Sequence, residues 1–369
     1  MRVLQNVGVY PGYLRRFERG LQPGSSFAGA LASFLAGGFE ACHVLRGGFE
    51  SDPQFMLTVG NSRAMQGFWV KEHGMPVRST PEDVLLAQLE EHRAEIFYNL
   101  DPTRFDDRML ARLPSCVRKT LCWNAAPTPH RRFSGYDVVV SNFPGILKGY
   151  EAFGCRTAPF FPSALPGTLP AADCGERPVD IAFVGAFSRH HLRRNAILDA
   201  VAGLKGECTL RYHLDLGRLN KAAEFAGTDL FGLLAPYRLT RAIRAVFAPP
   251  LYGSEMQALF GASKIVLNAA IDMSGNERGN IRCFEALSCG ALLLSDAGSY
   301  PAGMDDGKTI AAYDDPASAV ARARSLLEED AERLRIASAG QQMVREFYSK
   351  DRQWAAFEAL VAGLEGMRS

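Results

Sequence analysis

The chain has 369 residues, 47% of them hydrophobic, which exceeds one ordinary compact domain and fits two. Lys and Arg total 41 against 40 Asp and Glu. The net charge of +1 excludes bulk nucleic-acid binding, which needs a concentrated basic face, and leaves room for a small anionic ligand on one loop. Eight cysteines, Cys42, Cys116, Cys122, Cys155, Cys174, Cys208, Cys283 and Cys289, include no C-x-x-C pair and no zinc-ligand spacing. Reduced thiols in a cytoplasmic protein are the expectation, with Cys283 and Cys289 as small core residues. Met1–Val7 reads as a strand rather than a leader, and no apolar run approaches the roughly 20 residues of a membrane span.

In chain order, Arg2–Val9 reads as a strand and Ser26–Gly37 as a helix capped by Ser25 or Ser26. Thr80–Arg93 is a stronger helix, with Thr80 as cap, Pro81 in the first turn and Glu82-Asp83 behind it. Strands follow at Glu95–Leu100, Arg118–Trp123 and Tyr136–Ser141. The segment 161–178, with Pro162, Pro166, Pro170 and Pro178, breaks the rhythm and reads as a linker. The pattern restarts with a strand at Val179–Val184, a helix at Leu192–Leu204 and a strand at Thr209–Leu214. A short helix at Ser254–Gly261 leads to a buried strand at Lys264–Asn268. Helix Ile281–Ser288, stopped by Gly290, precedes a strand at Ala291–Ser295. Helices at Pro316–Leu327, Ala331–Phe347 and Asp351–Leu364 close the chain. Strands alternating with helices predict doubly wound parallel sheets. The expected domains are 1–160, the linker 161–178, a second domain 179–350, and a C-terminal helix 351–369 packing toward the first domain.

Ligands of such sheets bind beyond the carboxyl ends of the strands. One candidate is the turn Gly185-Ala186-Phe187-Ser188-Arg189-His190-His191, where glycine lets a ligand approach the backbone and a helix N-terminus with Ser188, Arg189 and His190 suits a diphosphate. The other reading is an ordinary turn with solvated basic residues. The second candidate is Asn276–Gly290, after a strand ending at Asn268. There Asn280 is placed to cap a helix, and Arg282 and Glu285 share one face at i, i+3. The cation suits phosphate and the carboxylate a ribose diol; a local Arg–Glu pair without a ligand is the alternative.

The run Val266-Leu267-Asn268, Gly275-Asn276, Asn280-x-Arg282-x-Phe284-Glu285-Ala286, Gly290-Ala291-Leu292-Leu293-x-Ser295-Asp296 closely resembles the CgeB-like glycosyltransferases and, more broadly, the nucleotide-sugar site of GT-B enzymes. Val184-Gly185 with Ser188-Arg189-x-His191, Tyr313-Asp314-Asp315 and the helix Arg333–Val344 extend the resemblance over Pro178–Arg352. Tyr10-Pro11-x-Tyr13 and Trp69-x-x-Glu72-His73-Gly74 carry it more weakly into the first half. The resemblance implies a GT-B fold, two Rossmann-like α/β domains facing each other across a cleft. It implies a nucleotide-sugar donor on the second domain, with Glu285 on the ribose, Arg189, Arg282 and the Gly185 loop on the diphosphate, and Asn280 capping or touching donor oxygens. Glu277 stands eight residues before Glu285, the spacing at which many GT-B enzymes place a carboxylate on the donor sugar. No metal and no other cofactor is expected, so the leaving charge falls to Arg, His and a helix dipole. Retention of configuration is implied by the broader resemblance alone.

The first half is expected to hold the acceptor (a glycan, lipid-linked glycan, protein or small molecule) through Tyr10, Gly12 and Tyr13, with simple packing as the alternative reading of Tyr13. Asp101, ending a strand, is a candidate base or an Asp-Pro turn former, and His130 is a second candidate base. The basic stretch Arg238–Phe247 is read as a surface helix, with contact to the inner face of a membrane as the alternative. Outside glycosyl transfer, the alternatives are a sugar-nucleotide epimerase of the same fold and a non-catalytic sugar-nucleotide-binding protein.

Overall fold

A computed structural model describes residues 1–46, 52–126, 128, 131–167, 169–173, 175–189, 191–225, 232–271 and 275–364. The chain forms two compact units, Met1–Pro162 with Lys350–Ser369, and Ser163–Ser349.

The first unit is built on β1 (Val3–Val7), β2 (Phe55–Val59), β3 (Ile96–Asn99), β4 (Lys119–Trp123), β5 (Val138–Ser141) and β6 (Thr157–Pro159). They pair in the order β2-β1-β3-β4-β5-β6, all parallel, with Val3 in register with Phe55 on one side and Ile96 on the other. Every residue of β1 is buried, as a strand covered by helices on both faces requires. Its two polar residues are therefore bonded: Gln5 donates to His43 O and accepts from Leu45 N, and Asn6 donates to Asn99 Oδ1 and accepts from Gly60 N.

The second unit contains β7 (Val179–Phe187), β8 (Leu210–Leu216), β9 (Phe247–Ala248), β10 (Ser263–Leu267), β11 (Leu292–Asp296) and β12 (Ala311–Tyr313). Their order is β12-β11-β10-β7-β8-β9, again all parallel. Counted from its own first strand, this is the dinucleotide-binding order 3-2-1-4-5-6 read from the other edge. The winding direction reverses between β7 and β10 in this unit, and between β1 and β3 in the first. The expected α/β, doubly wound class is the observed one.

Several elements differ from expectation. Pro11–Gly20, Arg63–Glu72 and Pro144–Glu151 are helices the periodicity did not reveal, and Tyr10-Pro11-Gly12-Tyr13 opens the first of them. The capping box at Thr80 and Asp83 and the Ser26 cap form as the residue types dictate. Residues 163–178 are no free linker. Ser163, Ala164, Leu165 and Ala172 are buried, and Arg177 donates to Phe260 O, Ser263 O and Cys289 O. Helix Lys350–Ala362 belongs to the first unit: Lys350 Nζ donates to Ala41 O, Val44 O and Gln353 Oε1, and Phe357 packs against Tyr98 and Phe160.

Within Arg238–Phe247, only Arg241–Val246 is helical. Leu239, Ile243 and Val246 join the core of the second unit, and Arg244 pairs with Glu224 at 2.8 Å. The apolar side that a membrane would take is thus already buried in the protein. Among the described residues, no helix is long and apolar enough to cross a membrane.

Candidate functional site

The second unit places its polar residues around the carboxyl end of β10. Asn268 follows that strand, buried, and donates to Ser295 Oγ at 2.9 Å; its own Oδ1 accepts from Asn280 at 3.2 Å. Helix Ile281–Ser288 starts directly after Asn280, as the residue pattern predicts. Asn280 does not cap it, however. Its side chain makes no cap hydrogen bond and turns instead to Asn268 and the Cys283 thiol. The first turn is therefore left without a side-chain cap, and its N–H groups and positive dipole end point out of the helix.

Arg282 and Glu285 meet as their spacing requires, with Arg282 Nη1 2.6 Å from Glu285 Oε2. Their environments differ. Glu285 is 5% exposed and Arg282's side chain 22%. Burial pushes the Glu285 carboxyl up, and the Arg282 guanidinium opposes that shift. Arg282 also donates to Met256 Sδ and lies 5.7 Å from the Phe260 ring centroid, so helix Gly253–Gly261 braces it. Among the described residues, Glu285 Oε1 carries no hydrogen bond. The pair thus presents one occupied carboxylate oxygen and one available oxygen in the first turns of an uncapped helix.

A buried ion pair that the pattern did not single out holds the approach to this helix. Arg278 Nε lies 2.6 Å from Asp296 Oδ2, with side chains only 2% and 3% exposed. Asp296 Oδ1 accepts from Ala270 N, and Arg278 Nη1 donates to Gly275 O and Glu277 O. Tyr300 donates to Asp296 O. The one signal in the sequence was a charged residue closing the wholly buried strand β11. Glu277 is half-buried and bridges Ser299 in a short parallel contact.

At β7 the turn differs from the expected one. The strand runs through Gly185 to Phe187. A Cβ on Gly185 would lie 2.9 Å from the Phe183 ring, so this glycine makes room for a packed side chain. Ser188 O accepts from His191 N and Asn195 Nδ2. Arg189 is exposed and its guanidinium lies 4.7 Å over the Tyr237 ring. Arg194, which the sequence reading missed, is buried and donates to Ala269 O at 2.8 Å and Ala186 O at 3.4 Å. It ties the end of β7 to the loop after β10, across the reversal point. His190 lies outside the described residues, as does His130.

In the first unit, Asp101 begins a turn. Its backbone O accepts from Arg104 N and Phe105 N, and its side chain takes Thr103 Oγ1 and Arg104 Nε. The side chain also lies against Gly8, where a Cβ would come within 2.6 Å of Asp101 Cβ. Asn99 Oδ1 accepts from Asp101 N and from Asn6, so the loops after β1 and β3 are locked together. Tyr13 is buried, stacked on Phe39 at 4.0 Å and on Phe17 at 6.0 Å, and burial pushes its hydroxyl up to about 12. It is a packing residue, not an open stacking surface. Gly12 is half-buried in the same helix, and Tyr10 stands exposed just before it. Among the described residues, no group of three or more His, Cys, Asp or Glu is placed to hold a metal ion.

Crystal structures of other proteins share this architecture along their whole length. Anabaena Alr3699/HepE in complex with UDP superposes with a TM-score of 0.58 at 11% identity, covering 98% of this chain and 100% of that one. Sucrose-phosphate synthase from Thermosynechococcus elongatus gives 0.56 at 12%, with both chains covered completely. A glycosyltransferase from Rickettsia africae gives 0.52 at 11%, covering 100% of this chain and 99% of that one. The fold is GT-B. Residues 216–359 of this GT-B chain also match a family model described as glycosyl transferase-like. The matched segment contains Asn268, Glu277, Arg278, Asn280, Arg282, Glu285 and Asp296. The chain has no match among curated proteins.

Proposed function

We propose that this protein transfers a sugar from a nucleotide-sugar donor to a hydroxyl-bearing acceptor, and that the donor binds the second unit at the start of helix Ile281–Ser288. The observation that carries the reading is the Arg282–Glu285 pair: a buried carboxylate with one oxygen held at 2.6 Å and one available, in the first turns of an uncapped helix, inside the segment matched as glycosyl transferase-like. Glu285 Oε1 accepts from the ribose diol. The helix N-terminus receives the diphosphate, with Arg282 and Arg189 supplying positive charge. Asn268 and Asn280 fix the rim. Glu277 is assigned to the donor sugar. UDP is the nucleotide of choice, because HepE structures hold UDP and UDP-glucose on the same fold.

The anomeric carbon gains positive character as the diphosphate leaves, and the leaving charge is met by guanidinium and helix dipole without a metal. The narrower CgeB-like membership and retention of configuration belong to the same proposal. The test is a thermal-shift screen against UDP-, GDP-, dTDP- and CMP-sugars, followed by nucleotide release with and without acceptor. A ligand at a hundred times its dissociation constant adds about 2.7 kcal/mol of stability, a visible shift. Turnover that survives EDTA and depends on an acceptor is the expected result. Nucleotide release that ignores acceptor addition, or no shift with any sugar nucleotide, counts against transfer.

A further inference from the structure

The buried pair Arg278–Asp296 stands where three loops meet. A guanidinium holds its donors in one rigid plane, so each bond it makes fixes the direction of the others. Arg278 Nε lies 2.6 Å from Asp296 Oδ2, and Nη1 donates to two carbonyls of one loop, Gly275 O and Glu277 O, both at 2.9 Å. Asp296 is held in turn: Oδ1 accepts from Ala270 N at 2.9 Å, and its backbone O accepts from the Tyr300 hydroxyl at 2.7 Å. The loops after β10, before helix Ile281–Ser288 and after β11 are thereby joined at one point.

The last two of these loops are also packed tightly on each other. Arg278 N donates to Ser299 O, and Ser299 N donates to Asn276 O, each at 2.8 Å. Beside Ser299 stands Gly298, where a Cβ would come 2.5 Å from Asn276 O and 2.8 Å from Arg278 Cγ. Any side chain at 298 therefore displaces the neighbouring loop. The loop after β10 is fixed from further positions, since Tyr313 donates to Asn268 O at 2.6 Å and Arg194 donates to Ala269 O at 2.8 Å.

A buried ion pair is a poor source of net stability, because apolar side chains of the same volume do as well or better. What this pair supplies is a set course for the backbone of Gly275–Glu277. Arg282 and Glu285 need no such help, because they meet within one turn of their own helix. We propose that Arg278, oriented by Asp296, is a positioning residue for the sugar end of the donor site. It sets the loop that carries Glu277, while helix Ile281–Ser288 sets the nucleotide end by itself. The sugar-end role rests on the glycosyl-transfer reading; the fixing of the loop does not.

Arg278→Ala leaves Asp296 buried without its cation and disturbs folding itself, so the test uses Arg278→Lys and Gly298→Ala in the full chain. Lysine keeps the charge but puts one nitrogen in place of two that reach the carboxylate and the carbonyls separately. The alanine moves the loop without altering a charge. UDP, UDP-glucose, UDP-galactose and UDP-N-acetylglucosamine are titrated by calorimetry. In both variants UDP binding stays within about twofold of the wild type, while the preference for the best UDP-sugar over UDP falls about threefold or more. Arg333→Lys alters another buried guanidinium, paired with Asp330 and acting on Asp180 near the start of β7; it lowers stability and leaves that preference unchanged. Without ligand, hydrogen exchange in residues 275–280 and 297–300 accelerates about tenfold in Arg278→Lys, against little change in β10. Equal losses of UDP and UDP-sugar binding, an unchanged preference in both variants, or a wild type that gains nothing from any of the three sugars overturns the sugar-end role. Unchanged exchange overturns the fixing of the loop. If the wild type binds none of the four ligands, the donor reading and the sugar-end role fall together, and faster exchange in Arg278→Lys still establishes Arg278 as the residue that fixes the loop.

Discussion

Replacing Glu285 by Gln keeps the side chain's shape and its contact with Arg282 and removes only the charge. In the proposed site that charge accepts from a ribose hydroxyl through Oε1. A hydrogen bond to a charged group contributes about 1.5–3 kcal/mol. A neutral hydrogen bond of about 0.5–1.5 kcal/mol remains through the amide, so at about 1.4 kcal/mol per tenfold Glu285→Gln weakens UDP binding roughly five- to tenfold. The apo protein responds differently. Burial has raised the Glu285 carboxyl, so the folded state holds its proton more tightly than the unfolded state. The associated stability is present at low pH and is lost as pH rises from the usual carboxylate range through the raised folded value. At neutral pH the ionised side chain is thus a net cost, offset in part by Arg282, and Glu285→Gln leaves unfolding of the second unit unchanged or slightly harder. The decisive assay is calorimetric, with UDP and 2′,3′-dideoxy-UDP titrated into both proteins. The wild type prefers UDP over the dideoxy ligand, and Glu285→Gln, which keeps a neutral hydrogen bond without the charge, shows a clearly smaller preference. If the mutant keeps the full preference for UDP, Glu285 does not touch the ribose and the site is misplaced.

Three further outcomes follow from the same geometry. Arg282→Ala weakens binding of UDP more than of uridine, measured by competition; equal losses mean that Arg282 acts only by holding Glu285. Asp296→Ala leaves the Arg278 guanidinium buried without its carboxylate and costs about 3–5 kcal/mol, read as a fall in the urea midpoint of the second unit, whereas joint replacement of both residues by apolar ones recovers most of it. In the first unit, burial, reinforced by the charge of Lys350, lowers the His43 ring to about 3. The unfolded chain binds that proton near pH 6.5, so stability falls between about 6.5 and 3, by up to about 1.4 kcal/mol per pH unit. Hydrogen exchange in β1 detects this slope, and His43→Phe, which keeps a ring against Trp123, removes it.

How much of this was readable before folding depends on the range of each interaction. Helix Ile281–Ser288, the Thr80 capping box and the buried strands β10 and β11 were legible, because caps, apolar periodicity and i, i+3 pairs act within one or two turns of the chain. The meeting of Arg282 with Glu285 belongs to that class. The Asn280 cap looked equally local and failed, since its Nδ2 is held by Asn268, twelve residues away, and its Oδ1 accepts from the Cys283 thiol rather than from a backbone N–H. Helices Pro11–Gly20 and Arg63–Glu72 escaped because each is only ten residues long and offers few core positions, Tyr13 and Phe17 in the first and Met65, Gln66 and Trp69 in the second.

The sequence alone thus determined the α/β class, the two-part organisation and one helix with its charged pair. Only the tertiary structure decided that 163–178 packs into the second unit and that the final helix joins the first. It also turned Tyr13 inward and joined Arg278 to Asp296. Each of these is a choice of partner across many residues, set by which surfaces are buried together. No local pattern encodes that choice, because burial free energy depends on what the whole chain brings to a place.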